Sequence, residues 1–567
     1  MLDAQPGDLN ERSRARALAH LAEHEVDVVV IGGGITGAGV ALDAATRGLS
    51  VALIEARDLA SGTSGFSSKL VHGGLRYLAK GDVALAWESA VEREALMRRI
   101  APHLVHPRAF LVPRFARGSL RRGLGGAGAA ARTAATRPGP LDGRLGDALT
   151  EVGVRLADVL RAASGLPARY LPRPRRVDAR AAKQLAPALR DAGLRGGLVY
   201  WDGAVEDDTR LVVALARTAA RHGAHVVTGC RAVRASDREV WIDGGPGAHA
   251  LVRGRTVINA TGVWAGEFAP SLSLAPSRGT HLVFPAAVFG HPEAVITAPV
   301  PGHFGRYVFV LPQASGLCYL GLTDEPAPGA DGHDPGVPEH DIDFLLDIAS
   351  ASLARPLRRE DMLGAFSGLR PLVRRRPRSG ASAEGTGSPA GADSASASRR
   401  HLVLDEPGHP ITVTGGKLTV YRQMAEEAVD AALHRMGESP RACPAVTRRV
   451  PVLGSPGSWP RGASPQRPER LGRPEAAEAG AAAIARLVRR YGWEAHRVAA
   501  LATADPGLAE EVAPGAGVTG AEVAFAVLAE GARTIDDVLA RRTRLALQPE
   551  LAAAARARVA ELVERFR

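Results

Sequence analysis

Three glycines mark the first place where this sequence could do chemistry: Gly32, Gly34 and Gly37, in the run Ile31-Gly32-Gly33-Gly34-Ile35-Thr36-Gly37. The spacing alone is common, and its setting gives it meaning. Val26-Asp27-Val28-Val29-Val30-Ile31 is an apolar, β-branched run that reads as a buried strand, and Ala38 to Arg47 reads as a helix ended by Gly48. The first glycine permits a tight turn. The second lets a pyrophosphate approach the backbone, and the third lets helix and strand pack closely. The helix N-terminus, with Ile35 and Thr36 in the turn that leads into it, then offers N–H groups and the positive end of a dipole to a phosphate. Ser50 to Ile54 reads as a second strand, and Glu55 ends it. An acid there can bond a ribose 2′-hydroxyl, which favours FAD or NAD over NADP.

The next segment separates the flavin from the nicotinamide. Residues 61–78 read Ser61-Gly62-Thr63-Ser64-Gly65-Phe66-Ser67-Ser68-Lys69-Leu70-Val71-His72-Gly73-Gly74-Leu75-Arg76-Tyr77-Leu78. Hydroxyls, glycines and cations are too dense here for a core element. Glycines would admit a flavin, and hydroxyls and amides would bond its phosphate and ring, with His72 orienting the loop or bonding the flavin. Two later pieces fit the same ligand. Asn259-Ala260-Thr261-Gly262-Val263-Trp264 follows a strand and has the form of a second dinucleotide contact. Thr414-Gly415-Gly416-Lys417-Leu418-Thr419-Val420-Tyr421-Arg422 joins a strand to a helix whose start could stabilise an anionic reduced ring.

On these motifs, together with Ser367-Gly368-Leu369-Arg370-Pro371-Leu372, the sequence resembles the FAD-dependent glycerol-3-phosphate dehydrogenases, from about residue 25 to 550. The resemblance implies an α/β fold: a D-amino-acid-oxidase-like, Rossmann-type FAD domain, a mixed-sheet substrate domain and a C-terminal helical domain. It also implies oxidation of sn-glycerol 3-phosphate to dihydroxyacetone phosphate, hydride transfer from C2 to FAD, and electrons passed to a quinone at the membrane. An oxidase using oxygen, or a related 2-hydroxy or amino acid oxidoreductase, is the alternative.

Such a substrate needs guanidinium groups for its phosphate and a base for its alcohol. By resemblance, Arg76, Tyr77, Arg370 and Lys417 stand around substrate and flavin. His281, in Arg278-Gly279-Thr280-His281-Leu282-Val283, matches the family's active-site histidine and is the candidate base. Arg399 matches a further arginine near the phosphate, with Arg400 as the alternative register.

The elements that carry these residues are read from pattern. Residues 1–25 read as a short polar lead that could form a helix. Residues 26–445 hold the interleaved cofactor and substrate domains, and 446–567 an Ala/Leu/Arg-rich helical domain. Residues 82–100 read as helical. Leu145, Leu149, Val152, Leu156, Val159 and Leu160 fall at helical spacing, on a helix that either packs on a core or lies on a membrane. Strands alternate with short helices from about 195 to 325. The Gly/Ala/Arg-rich stretch 117–140 and the Ser/Ala/Gly-rich stretch 374–398 read as surface loops.

Composition sets outer limits. The 567 residues are 46% apolar and 23% charged, as in a globular protein of several domains. Cys230, Cys318 and Cys443 lack C-x-x-C spacing, so neither a disulfide framework nor a cysteine zinc site is expected, and a reducing compartment fits. The net charge of +11 suits phosphate-bearing ligands or a lipid surface, while 4% aromatics leaves little for base stacking, so nucleic acid is not expected. No secretory leader and no 18-residue apolar run appear, so the expectation is a cytoplasmic protein, a homodimer, peripherally bound to the inner face of the membrane.

Overall fold

The computed structural model describes residues 4–74, 78, 81–116, 144–245, 249–300, 306–374, 400–458 and 477–567. The stretch 117–140 and nearly all of 374–398, with Arg76, Tyr77 and Arg399, lie outside the described residues.

The β-branched run Val26–Ile31 is the centre of the first sheet. It pairs in parallel with Val51–Ile54 on one side and His249–Asn259 on the other. Ile411–Gly415 extends the sheet in parallel beyond His249–Asn259, and His225–Val227 extends it beyond Val51–Ile54. Both faces of such a strand are covered, which is why it carries no polar alternation. The helix Ile35–Thr46 follows the first strand; its buried side packs on the helices Asp208–Arg221 and Tyr421–Arg435. Gly48, at φ +86°, turns the chain back into the second strand.

The second sheet has ten strands among the described residues. Ser277–Pro285 runs antiparallel to both Leu317–Gly321 and Gly364–Arg370. Val105–Phe115 and Leu194–Val205 form its longest antiparallel pair. Among the described residues, strands predominate in 195–325, with one α-helix, Asp208–Arg221, and short 3-10 turns in place of the alternating helices expected. Residues 82–100 form the helix Val83–Ala95 followed by a π-turn.

The C-terminal region is helical, with its own core around Phe525, Val538 and Leu562. The described part of the N-terminal lead is helical, as one form of that reading expects. Its helix Glu11–Glu23, capped by Asn10, buries Ala17 and Leu21. The Asp8 carboxylate accepts from Arg217 at 2.9 Å and from Arg497 at 2.7 Å, so the lead shares these buried guanidiniums with Glu494.

The amphipathic segment forms the helix Arg144–Ala163. Val154 is buried, but Leu149, Val152 and Leu156 are 41%, 62% and 46% exposed while also bordering the cavity described next. The helix is therefore a wall with an open apolar side, not an element sunk in a core. Among the described residues no helix is long and apolar enough to cross a membrane.

Candidate active site

A cavity of about 730 Å³ is lined by residues of both sheets. At one end stands the glycine turn. Gly32 has φ +107°, and a Cβ there would lie 2.7 Å from the Ala260 carbonyl oxygen. Gly34 gives the helix Ile35–Thr46 no side-chain cap. Ser64 Oγ takes the Ile35 amide at 2.9 Å, and the amides that follow carry the positive end of the helix dipole. Glu55 accepts from the Gly33 amide at 2.6 Å and from the Arg57 amide at 2.8 Å. Burial pushes its carboxyl above the usual carboxylate range, although both amides oppose that shift. Beyond it, the Trp264 and His333 rings lie 4.3 Å apart. A bare backbone turn, a helix start whose N-cap is a glycine, an acid and an aromatic pair fit the pyrophosphate, ribose and base of a dinucleotide.

Thr63, Ser64, Ser67, Ser68, Leu70 and His72 border the cavity, as do Thr36, Thr261, Gly262, Gly416, Lys417 and Leu418. Thr63 Oγ1 donates to the Leu369 carbonyl at 2.7 Å, tying this loop to the substrate sheet. Lys417 Nζ is anchored on Ser89 Oγ, against the helix Val83–Ala95.

Five residues expected to hold cofactor do not border the cavity. Gly37 acts in packing: a Cβ there would overlap the Gly32 carbonyl oxygen. Lys69 is buried and turns its ammonium to Asp208 Oδ1 at 2.7 Å. The Gly73 amide donates to Asp202 at 2.9 Å, and a Cβ on it would overlap the Arg93 guanidinium. Gly74, at φ +88°, faces Ala86. Thr419 is buried in the turn before the helix Tyr421–Arg435. In each case a contiguous motif places some side chains toward the cavity and their neighbours away from it.

The other end of the cavity carries His281 and Arg370 on adjacent strands. His281 pairs in register with Gly321 on one side and Phe366 on the other. Its ring stacks on Phe366 with centroids 4.8 Å apart and planes 9° apart, and Gly321 leaves the room a Cβ would fill. Ser68 Oγ lies 3.0 Å from its Nε2. Burial, with the positive charges of Arg370 and Lys69, holds the imidazole down to about 3, so it is neutral at physiological pH. A neutral imidazole retains a lone pair that can take a proton.

Arg370 passes over Gly279, where a Cβ would overlap its guanidinium. It donates to the Thr323 carbonyl at 3.0 Å, to Asp324 at 3.2 Å and to Ser277 Oγ at 3.3 Å. These three partners were not evident in the sequence, since nothing links Asp324 to Arg370 until two strands are paired with Ser277–Pro285. The pair Trp264 and His333 was equally hidden. Arg400, the alternative to Arg399, is exposed and bonds Asp82 at 3.0 Å, away from the cavity.

Comparison with known proteins gives the family. Residues 27–422 match the FAD dependent oxidoreductase family, and residues 445–566 match the C-terminal domain of alpha-glycerophosphate oxidase. The chain is 44% identical over 551 residues to glycerol-3-phosphate dehydrogenase 1 of Mycobacterium tuberculosis, covering 97% of each. It is 34% identical to glycerol-3-phosphate dehydrogenase of Mycobacterium leprae, covering 98% of this chain and 87% of that protein. The fold is shared with a Bacillus halodurans glycerol-3-phosphate dehydrogenase solved with FAD, at TM-score 0.68 and 23% identity, covering 98% of this chain and 94% of the other. With a dinucleotide cradle at one end of its cavity and a histidine–arginine pair at the other, the chain belongs to the FAD-dependent glycerol-3-phosphate dehydrogenase family.

Proposed function

We propose that this protein oxidises sn-glycerol 3-phosphate to dihydroxyacetone phosphate and passes the electrons to a membrane quinone. Bound FAD supplies the acceptor for the hydride from C2. The protein's own residues do the rest. Arg370, with its fork oriented by Thr323, Asp324 and Ser277, grips the phosphate. Lys417, and by resemblance Arg76 and Arg399, complete the cationic surround, and by resemblance Tyr77 stands beside substrate and flavin. Neutral His281 takes the proton of the C2 hydroxyl.

The observation that carries this reading is the placement of His281 and Arg370 on neighbouring strands, both bordering one cavity with the glycine turn. The exposed apolar side of the helix Arg144–Ala163 supports a peripheral contact with the membrane, through which a lipid-soluble acceptor would arrive. The protein acts at the inner face of the membrane as a homodimer in this reading.

The test is anaerobic. FAD-loaded protein is expected to bleach on addition of glycerol 3-phosphate and to recolour with a short-chain quinone. Recolouring only with oxygen, with release of hydrogen peroxide, would make the protein an oxidase. No bleaching with glycerol 3-phosphate would refute the substrate assignment.

A further inference from the structure

His281 is only 1% exposed, and its Nδ1 is buried with no hydrogen-bond partner among the described residues. Its Nε2 meets Ser68 Oγ at 3.0 Å. Ser68 is half-buried and borders the cavity. With the imidazole proton on Nδ1, the lone pair that the reaction needs lies on Nε2 and is covered by the Ser68 hydroxyl, and that hydroxyl is the more accessible of the two groups.

The position of Ser68 is enforced from both sides. Asp208 Oδ2 accepts from the Ser67 amide at 2.9 Å and from Ser67 Oγ at 2.7 Å. Asp208 Oδ1 accepts from Lys69 Nζ at 2.7 Å. One buried carboxylate thus holds the residues before and after Ser68. Lys69 has φ +57°, a left-handed conformation that a side-chain-bearing residue adopts at a cost. Its amide also donates to Ser67 Oγ at 3.0 Å, and its carbonyl accepts from the Val205 amide at 2.8 Å. The strained turn directs the Ser68 side chain toward the imidazole while the chain on either side turns away. The ring it meets is fixed too, stacked on Phe366 beside Gly321.

We propose that Ser68 is a catalytic proton relay between the substrate alcohol and His281, and that Asp208 is the positioning residue that aims it. This rests on the function proposed above. The C2 hydroxyl's O–H bond breaks as a new O–H bond forms on Ser68 Oγ. The former Ser68 O–H bond breaks as an N–H bond forms on His281 Nε2. The hydride leaves C2 with its electron pair for FAD, so the alcohol carbon is oxidised to a carbonyl and FAD is reduced. The imidazole gains the one proton lost by the alcohol.

Two measurements decide the matter. In the first, FAD content and anaerobic flavin reduction are followed for wild type, Ser68→Ala and Ser68→Thr. Ser68→Ala is expected to keep its FAD, to reduce it about 10²-fold more slowly, and to keep its half-saturating substrate concentration. Ser68→Thr, which retains a hydroxyl, is expected to recover most of the rate. A Ser68→Ala protein that reduces flavin at the wild-type rate, or that loses FAD in proportion to rate, overturns the relay.

The second needs no turnover. In protein labelled with 15N-histidine, and with His281 assigned by His281→Gln, the Nε2 resonance is expected to shift in Ser68→Ala and to stay in place in Ser68→Thr. An unchanged resonance in Ser68→Ala overturns the relay. If wild type itself fails to bleach, the substrate assignment falls, and the Ser68–His281 link is still judged by the resonance.

Discussion

The Arg542 guanidinium spans both carboxylate oxygens of Asp58, at 2.7 and 2.8 Å, and neither side chain is more than 2% exposed. Arg542 belongs to the C-terminal helical region, and Asp58 follows the cradle acid Glu55 by three residues. The neighbouring Arg541 adds a contact to the same carboxylate at 2.6 Å. Arg544, in turn, donates to the Gly65 carbonyl at 2.5 Å. The C-terminal region is thus bonded directly to the loop that borders the cofactor end of the cavity. Removing one member of a buried pair strands the other. Arg542→Met is expected to lower the unfolding free energy by about 3–5 kcal/mol, read by denaturant titration. It should also weaken FAD retention, read by ultrafiltration. Unchanged stability would mean that the pair does not hold the regions together.

Two glycines of one motif should behave differently. A Cβ at Gly37 would overlap the Gly32 carbonyl oxygen, and backbone cannot move aside cheaply. At Gly34 the nearest atom is Ser64 Oγ at 3.1 Å, the end of a rotatable side chain. Gly37→Ala is therefore expected to give insoluble or FAD-free protein. Gly34→Ala should fold with native circular dichroism and bind FAD more weakly. Equal FAD affinity in the two variants would contradict this account.

In the proposed function Arg370 binds the phosphate. Its side chain is 21% exposed; of its partners, Thr323 and Asp324 border the cavity and Ser277 is buried beside it. Arg370→Ala is expected to raise KM for glycerol 3-phosphate by about 10- to 100-fold, equivalent to roughly 1.5–3 kcal/mol of charged hydrogen bonding. FAD content should stay at the wild-type level. Proportionate loss of flavin would make the residue structural.

Two buried histidines set an acid limit on stability. Burial, together with the charge of Arg210, holds His103 down to about 3, and burial with Arg370 and Lys69 does the same for His281. Both groups are neutral in the folded protein and would titrate near 6.5 when unfolded. The unfolded chain then binds more protons between these values. Stability is complete above about pH 6.5 and falls as the pH drops toward 3, by about 1.4 kcal/mol per pH unit for each histidine. His103→Gln is expected to flatten the dependence of unfolding free energy on pH over this range. An unaltered slope would show that His103 is not buried neutral.

The cofactor cradle could be read directly because its parts are contiguous. A β-branched strand, a glycine turn, a helix start and a terminal acid lie within residues 26–55, and backbone geometry alone brings them together. The C-terminal helices followed from periodicity in the same way. Within the longer loops, type was legible but direction was not. Ser68 and Lys69 are adjacent, yet one faces the cavity and the other is buried on Asp208. No pattern of residue types reveals a left-handed φ at a lysine.

The reaction end of the cavity was assembled by strand register. Ser68 and His281 are 213 residues apart, and Arg370 and Asp324 are 46 apart. These pairs exist because Ser277–Pro285 lies between Leu317–Gly321 and Gly364–Arg370, and because the loop after Glu55 is clamped by Asp208 and the C-terminal arginines. Local sequence suffices where neighbours along the chain make the interaction. A site built from distant residues depends on pairing and burial across the whole fold, and those are properties of the packed molecule.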